Sequence, residues 1–113
     1  MKVTFTKLFY FSASYAKNGK IHGHNYTLSV TTDFLDEAEE ALLQKKIEGS
    51  LIKNLDSRDF GLDVSFLKGV EITDENLLKV FWGIVEKSIH PMMLRSLSLE
   101  KDSRTKVAMS SGS

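Results

Sequence analysis

Phe11-Ser12-Ala13-Ser14-Tyr15-Ala16-Lys17-Asn18-Gly19-Lys20-Ile21-His22-Gly23-His24-Asn25-Tyr26 is the stretch that decides the fold. Upstream of it and into it, Val3, Phe5, Phe9, Phe11 and Ala13 share one parity, while Thr4, Thr6, Tyr10, Ser12 and Ser14 share the other. Alternation with period two predicts a half-buried strand over residues 2–15. Lys7 is the one interruption of its apolar face. Lys17-Asn18-Gly19-Lys20 supplies a tight hairpin turn, because Asn and Gly tolerate the positive φ that such turns demand. A second strand is predicted from about residue 22 to 33, with Tyr26, Leu28 and Val30 on its apolar face and Asn25, Thr27, Ser29 and Thr31 on its polar face.

Parity also places the candidate functional residues. His22 and His24 fall on the face of Tyr26, Leu28 and Val30, and Tyr15 falls on the face of Phe9 and Phe11. If both apolar faces turn to one core, the three side chains point to the same side at one end of the hairpin. Two imidazoles two residues apart on a strand face make a ready chelate for a metal. The other reading is a pair of strand histidines with satisfied hydrogen bonds. Tyr15 has two readings as well: a third metal ligand, or an aromatic plug at the end of the sheet.

Working outward, the pattern switches to helix near Asp36. Asp36-x-x-Glu39 is a capping signal with acidic residues crowding the first turn. Leu43, Ile47, Leu51 and Leu55 then recur every four residues. Residues 57–71 read as a loop. Thr73 is a good N-cap for a second helix, whose buried stripe is Leu77, Phe81, Ile84, Val85 and Ile89 and which Pro91 ends. Residues 94–101 and 104–109 read as two more strands, with Lys101–Arg104 as the turn, followed by a Ser/Gly-rich tail at 110–113. The order ββααββ predicts an α+β fold: a four-stranded antiparallel sheet with two helices on one face. The other face would carry Thr4, Thr6, Ser12, Thr27, Ser29, Ser98 and Glu100. The two open sheet edges make oligomerisation through them a natural solution.

The 113 residues fit a single domain spanning 1–113. A net charge of zero argues against nucleic acid or an anionic membrane as the main partner. No cysteine is present, so disulfides, thiolate ligands and a cysteine nucleophile are excluded. No stretch reaches the roughly 18 consecutive apolar residues of a membrane helix, and the N-terminus carries a strand pattern in place of a signal-peptide core. A cytoplasmic location is expected.

The segment Phe11-Ser12-Ala13-Ser14, the run His22-Gly23-His24-Asn25-Tyr26, Leu55-Asp56, Thr73-Asp74-Glu75-Asn76 and Leu99-Glu100, in this order along almost the full chain, resemble the 6-pyruvoyl-tetrahydropterin synthase and 6-carboxy-tetrahydropterin synthase family. The resemblance implies a tunnelling fold, in which subunits join their sheets into a barrel as trimers or hexamers with sites at subunit interfaces. It implies a pterin-like small molecule as ligand, zinc as cofactor, and lyase chemistry on 7,8-dihydroneopterin triphosphate in which the metal is a Lewis acid. By the same resemblance His22 and His24 fall on two of three zinc histidines. Glu100 falls on the glutamate that anchors the pterin ring, Thr73 lies in the stretch whose backbone contacts that ring, and Asp56 falls on the aspartate of a proton relay.

Three positions depart from the family pattern. Tyr15 stands where the first zinc histidine is expected, Asn18 where some members carry a cysteine, and Ser57 where the relay histidine follows the aspartate. Asn has no relevant pKa, and Ser needs an adjacent base to act. The departures imply that the family activity is impaired. The alternative is a non-catalytic, metal-free relative that keeps the fold, the oligomer and the heterocycle pocket.

Overall fold

The computed structural model describes residues 2–112. Strands β1 (Thr4–Lys17) and β2 (Lys20–Asp33) form a long antiparallel hairpin in the register Thr4↔Asp33 to Lys17↔Lys20. Asn18 and Gly19 have φ of 53° and 76°, the pair of positive values that a two-residue hairpin turn requires. Phe9, Phe11, Ala13, Tyr26, Leu28 and Val30 are buried, as their parity predicts. Val3 departs from that pattern: it precedes β1 and is 66% exposed. Lys7, the interruption of the apolar face, reaches Glu40 Oε1 at 3.2 Å, so its charge is partnered rather than buried bare.

Asp36 caps α1 (Glu37–Ile47) with the reciprocal capping box to Glu39. The rod continues through a π-helical turn, Glu48–Ile52, into the short α2 (Lys53–Leu55). The spacing of the buried residues accounts for that turn. Leu43, Ile47, Leu51 and Leu55 are all fully buried, yet in an uninterrupted α-helix each four-residue step overshoots one turn by about 40°. A π turn takes more residues per revolution and returns the stripe to one face.

The segment after α2 corrects the sequence reading. Within residues 57–71 lie a strand, β3 (Arg58–Asp59), and a 3₁₀ turn, Ser65–Leu67. β3 runs parallel to β1 beside Ala13 and Ser14. The sheet therefore has five strands in the order β3-β1-β2-β4-β5 and is mixed, not four-stranded and antiparallel. A two-residue strand has no alternation to read. It exists because Ser57 N donates to Ser12 O (2.6 Å) and Phe60 N donates to Ser14 O (2.8 Å). Phe60, Val64 and Leu67 from this segment are buried in the core.

Thr73 caps α3 (Asp74–Ile89) by accepting from Asn76 N at 3.1 Å. Leu77, Leu78, Phe81, Val85 and Ile89 are its buried residues, and Ile84 packs partly buried against the same core. β4 (Leu94–Lys101) pairs with β2, and β5 (Thr105–Ser110) with β4. The tail is partly strand: Ser110 ends β5, Ser111 N donates to Arg95 O at 2.8 Å, and Ser113 lies outside the described residues. Both long helices bury their apolar stripes in one cluster with the odd-numbered face of β1, which leaves the polar sheet face uncovered within one chain. Among the described residues no helix is long and apolar enough to cross a membrane.

Candidate functional site

The hairpin register sets Tyr15 directly opposite His22, and Ala13 opposite His24. The three rings meet as the parity predicts. Ring centres lie 5.5 Å apart for Tyr15 and His22, 5.8 Å for Tyr15 and His24, and 6.4 Å for the two imidazoles. Phe60 backs the group, parallel to Tyr15 within 6° at 6.4 Å. Tyr26 adds an edge contact to His24 at 6.0 Å and stacks on Phe11 at 5.1 Å. Tyr26 is 1% exposed and its hydroxyl has no hydrogen-bond partner among the described residues. Burial pushes that phenol's pKa well up, and the nearby Tyr15, Asp74 and Asp102 push it the same way.

His24 is held by a residue that the sequence reading missed. Its Nδ1 lies 2.6 Å from Asp102 Oδ2, in the turn between β4 and β5. A carboxylate has no proton to give, so Nδ1 carries the hydrogen and Nε2 is left for other partners. The other oxygen of Asp102 accepts from Asn25 N at 2.8 Å, and Asp102 N donates to Asn25 O at 2.7 Å. The Asn25 amide, then the His24 imidazole, hold the Asp102 carboxyl below its ordinary pKa. Asp102 and Ser103 have φ of 53° and 56°, a two-residue turn whose composition marks the bend but not the side chain's target 78 residues away.

The remaining candidates divide between two places. Thr73 is half-buried at the start of α3, where the adjacent Asp74 pairs with Lys101 at 3.2 Å. Lys101 is the cross-strand neighbour of Tyr26, so this corner adjoins the histidine face. Glu100 lies opposite Thr27 on β2 and Lys106 on β5, and therefore projects from the other face of the sheet. One chain thus separates Glu100 from Tyr15, His22 and His24 by the thickness of its own sheet. Asp56 stands apart from both: its Oδ1 accepts from Ser12 N at 3.0 Å and fastens the end of α2 to β1.

The departures from the family pattern all have structural work. Asn18 forms the hairpin turn at positive φ, Ser57 has φ of 62° at the bend into β3, and Tyr15 is packed among rings. The donor set does not fit the three-histidine zinc site that the resemblance implies. Two imidazoles remain, Asp102 is committed to His24 and Asn25, and a phenol must lose its proton to bind a metal well. Among the described residues no three His, Asp or Glu side chains are grouped to hold an ion. An open cleft of about 390 Å³ runs along this end of the sheet, lined by Ser12, Ser14, Asn25, Ser57, Arg58 and Asp102 among others. That is near the small end of ligand pockets.

No curated protein matches the sequence. Among solved structures, 6-pyruvoyl tetrahydropterin synthase of Caenorhabditis elegans superposes with a TM-score of 0.82 at 21% identity, over 97% of this chain and 96% of that one. At that identity the likeness shows the fold. The sequence model of the family described as 6-pyruvoyl tetrahydropterin synthase matches residues 3–111, nearly the whole length. The chain belongs to the 6-pyruvoyl tetrahydropterin synthase family.

Proposed function

We propose that this protein binds a pterin-like heterocycle and has lost most or all of the lyase activity of its family. The observation that carries the reading is the contrast between Glu100 and the reactive positions. Glu100 is a half-buried carboxylate in a polar row with Thr27 and Lys106, and it makes no side-chain hydrogen bond among those described. A carboxylate so placed can accept two parallel N–H bonds from a 2-aminopyrimidinone ring, a strong charge-assisted pair. Tyr15, Asn18 and Ser57, in contrast, are all engaged in holding the fold, and none is of a residue type that readily takes up and returns a proton near neutral pH. The loss of one general acid or base typically lowers a rate by about 10²–10⁴-fold. No catalytic step is assigned to Asp56, whose carboxylate is taken by the Ser12 amide, or to zinc.

Because Glu100 and the histidine face lie on opposite sides of one sheet, a ligand that touches both needs a second copy of the chain. The reading therefore includes a homo-oligomer joined through sheet edges, with Thr73 and Glu100 supplied by different copies. The test is calorimetric titration of neopterin or biopterin into the wild-type protein and into Glu100→Ala, with turnover of 7,8-dihydroneopterin triphosphate followed by chromatography. We expect binding that falls at least tenfold in the variant, and turnover at least about 10²-fold below that of an active family member. Equal pterin affinity in the variant, or turnover at ordinary enzymatic rates, overturns the proposal.

A further inference from the structure

The geometry points to Tyr15 as the residue that denies His22 and His24 a metal ion, and we propose that position 15 alone decides whether this site takes zinc. The inference concerns the same corner of the fold as the proposed function. It is read by metal binding, whereas the heterocycle reading is tested by pterin affinity, so a failure of either is told apart from a failure of the other.

A zinc site open to a ligand needs three protein donors, and a closed one needs four. His22 and His24 supply two from one strand face. Across the hairpin the residues opposite them are Tyr15 and Ala13, so position 15 is the one that faces the pair with a side chain long enough to donate. The three ring centres form a nearly regular triangle with sides of 5.5, 5.8 and 6.4 Å. Three imidazoles around one ion make a triangle of this kind, each nitrogen directed inward from its ring. Tyr15 occupies the third corner with its ring body. A phenol oxygen stands one bond beyond the ring, so a ligating tyrosine must set its ring farther from the ion than an imidazole does. Tyr15 does the reverse: its ring centre is nearer to each imidazole than the imidazoles are to one another. Phe60 lies parallel to it with ring centres 6.4 Å apart. The place of the third donor is therefore filled by carbon.

Two details show that the rest of the site is kept. The Asp102 contact fixes the His24 ring and leaves its Nε2 available, the arrangement that orients metal-bound histidines. The hairpin register that sets position 15 against His22 is regular through the whole of β1 and β2. A single change, Tyr15→His, should then complete a three-imidazole set at this end of the hairpin.

The experiment measures zinc affinity of tag-free protein by competition with a chromogenic chelator, supported by elemental analysis after dialysis. Wild type, Tyr15→Phe and Tyr15→His are compared, with near-ultraviolet circular dichroism and melting to check folding. We expect wild type and Tyr15→Phe to retain no zinc at micromolar free metal, and Tyr15→His to gain about 100-fold or more. In the Tyr15→His background, Asp102→Asn should lower that affinity by about 10–100-fold. Stoichiometric zinc in the wild type overturns the proposal; its loss in Tyr15→Phe would identify a phenolate ligand, and its retention would identify donors other than Tyr15. A folded Tyr15→His that gains no affinity also overturns it. If Tyr15→His does not fold, the wild-type and Tyr15→Phe measurements decide alone, since tight zinc in either is incompatible with a ring that excludes the ion.

Discussion

Asp102 Oδ2 stands 2.6 Å from His24 Nδ1, a contact that joins the β4–β5 turn to the histidine strand across 78 positions of sequence. Because the same carboxylate also accepts from Asn25 N, one side chain sets both the ring tautomer and the docking of the turn. In Asp102→Asn the amide can turn its NH₂ toward the imidazole and favour the opposite tautomer. We expect the ¹⁵N spectrum of His24 to show hydrogen on Nδ1 in the wild type, and on Nε2 or on both nitrogens in the variant. A lowered melting temperature should accompany Asp102→Ala, in which both bonds are lost. An unchanged tautomer in Asp102→Asn would mean that the ring is oriented by its aromatic neighbours instead.

The Asp33 carboxylate accepts two hydrogen bonds from Arg95, at 3.0 and 2.9 Å, and lies 3.3 Å from Lys2. Chiefly through the Arg95 bonds, its pKa falls from 3.8 to about 2. A carboxyl lowered in the folded state contributes stability that is fully present above its unfolded value and is lost as pH falls through the folded one. The melting temperature should therefore drop between about pH 4 and pH 2, and Asp33→Asn should flatten that part of the profile. A variant whose acid profile still superposes on the wild type's would remove Asp33 as a source of the acid sensitivity.

Phe60 is fully buried at the junction of β3, Tyr15 and Tyr26. Truncation to alanine removes its transfer energy and leaves a cavity, so Phe60→Ala should cost about 3–5 kcal/mol in chemical denaturation. That is a large share of the roughly 5–15 kcal/mol typical of a small protein. Loss of less than about 1 kcal/mol would show that the segment carrying β3 docks independently of this ring.

The π turn makes a deletion informative. Removing Gly49 leaves the spacing of an ordinary α-helix between Ile47 and the leucines that follow, so the stripe still meets the core. Removing Gln44 from α1 instead swings everything after it by about 100°. We expect the Gly49 deletion to fold with near wild-type helicity and the Gln44 deletion to be strongly destabilised. Equal damage in the two would refute the link between the four-residue spacing and the π turn.

What could be read in advance was whatever a short stretch of chain decides for itself. Asn18-Gly19, the Asp36 box, the Thr73 cap and the alternation through Phe11 and Tyr26 are local chemistry, and they fixed the hairpin, both long helices and the grouping of Tyr15 with His22 and His24. What stayed hidden depends on distant partners. β3 is made by two backbone bonds to Ser12 and Ser14, and Phe60 enters the ring cluster only because those bonds bring it there. The Lys7 that breaks the apolar pattern makes sense only beside Glu40, and the acid in the Lys101–Arg104 turn only beside His24. Glu100 was placed on the correct face by parity. Its separation from the histidines follows from the same parity, once β4 is set against β2.

The short strand β3 has a consequence for any sheet that continues from one copy to the next. It occupies the outer edge of β1 only beside Ala13 and Ser14, while among the described residues the stretch from Thr4 to Phe11 has no strand on that side, and β5 has none on its far side. The two edges are unlike, so joining one to the other is a head-to-tail contact that repeats the same rotation. It closes into a ring when that rotation divides a full circle and runs on as a fibre when it does not. A strand sliding along β1 toward its C-terminal end meets β3 and can go no farther. In a sheet joined in that way, these two residues would act as a register stop that limits where a neighbour could sit along β1.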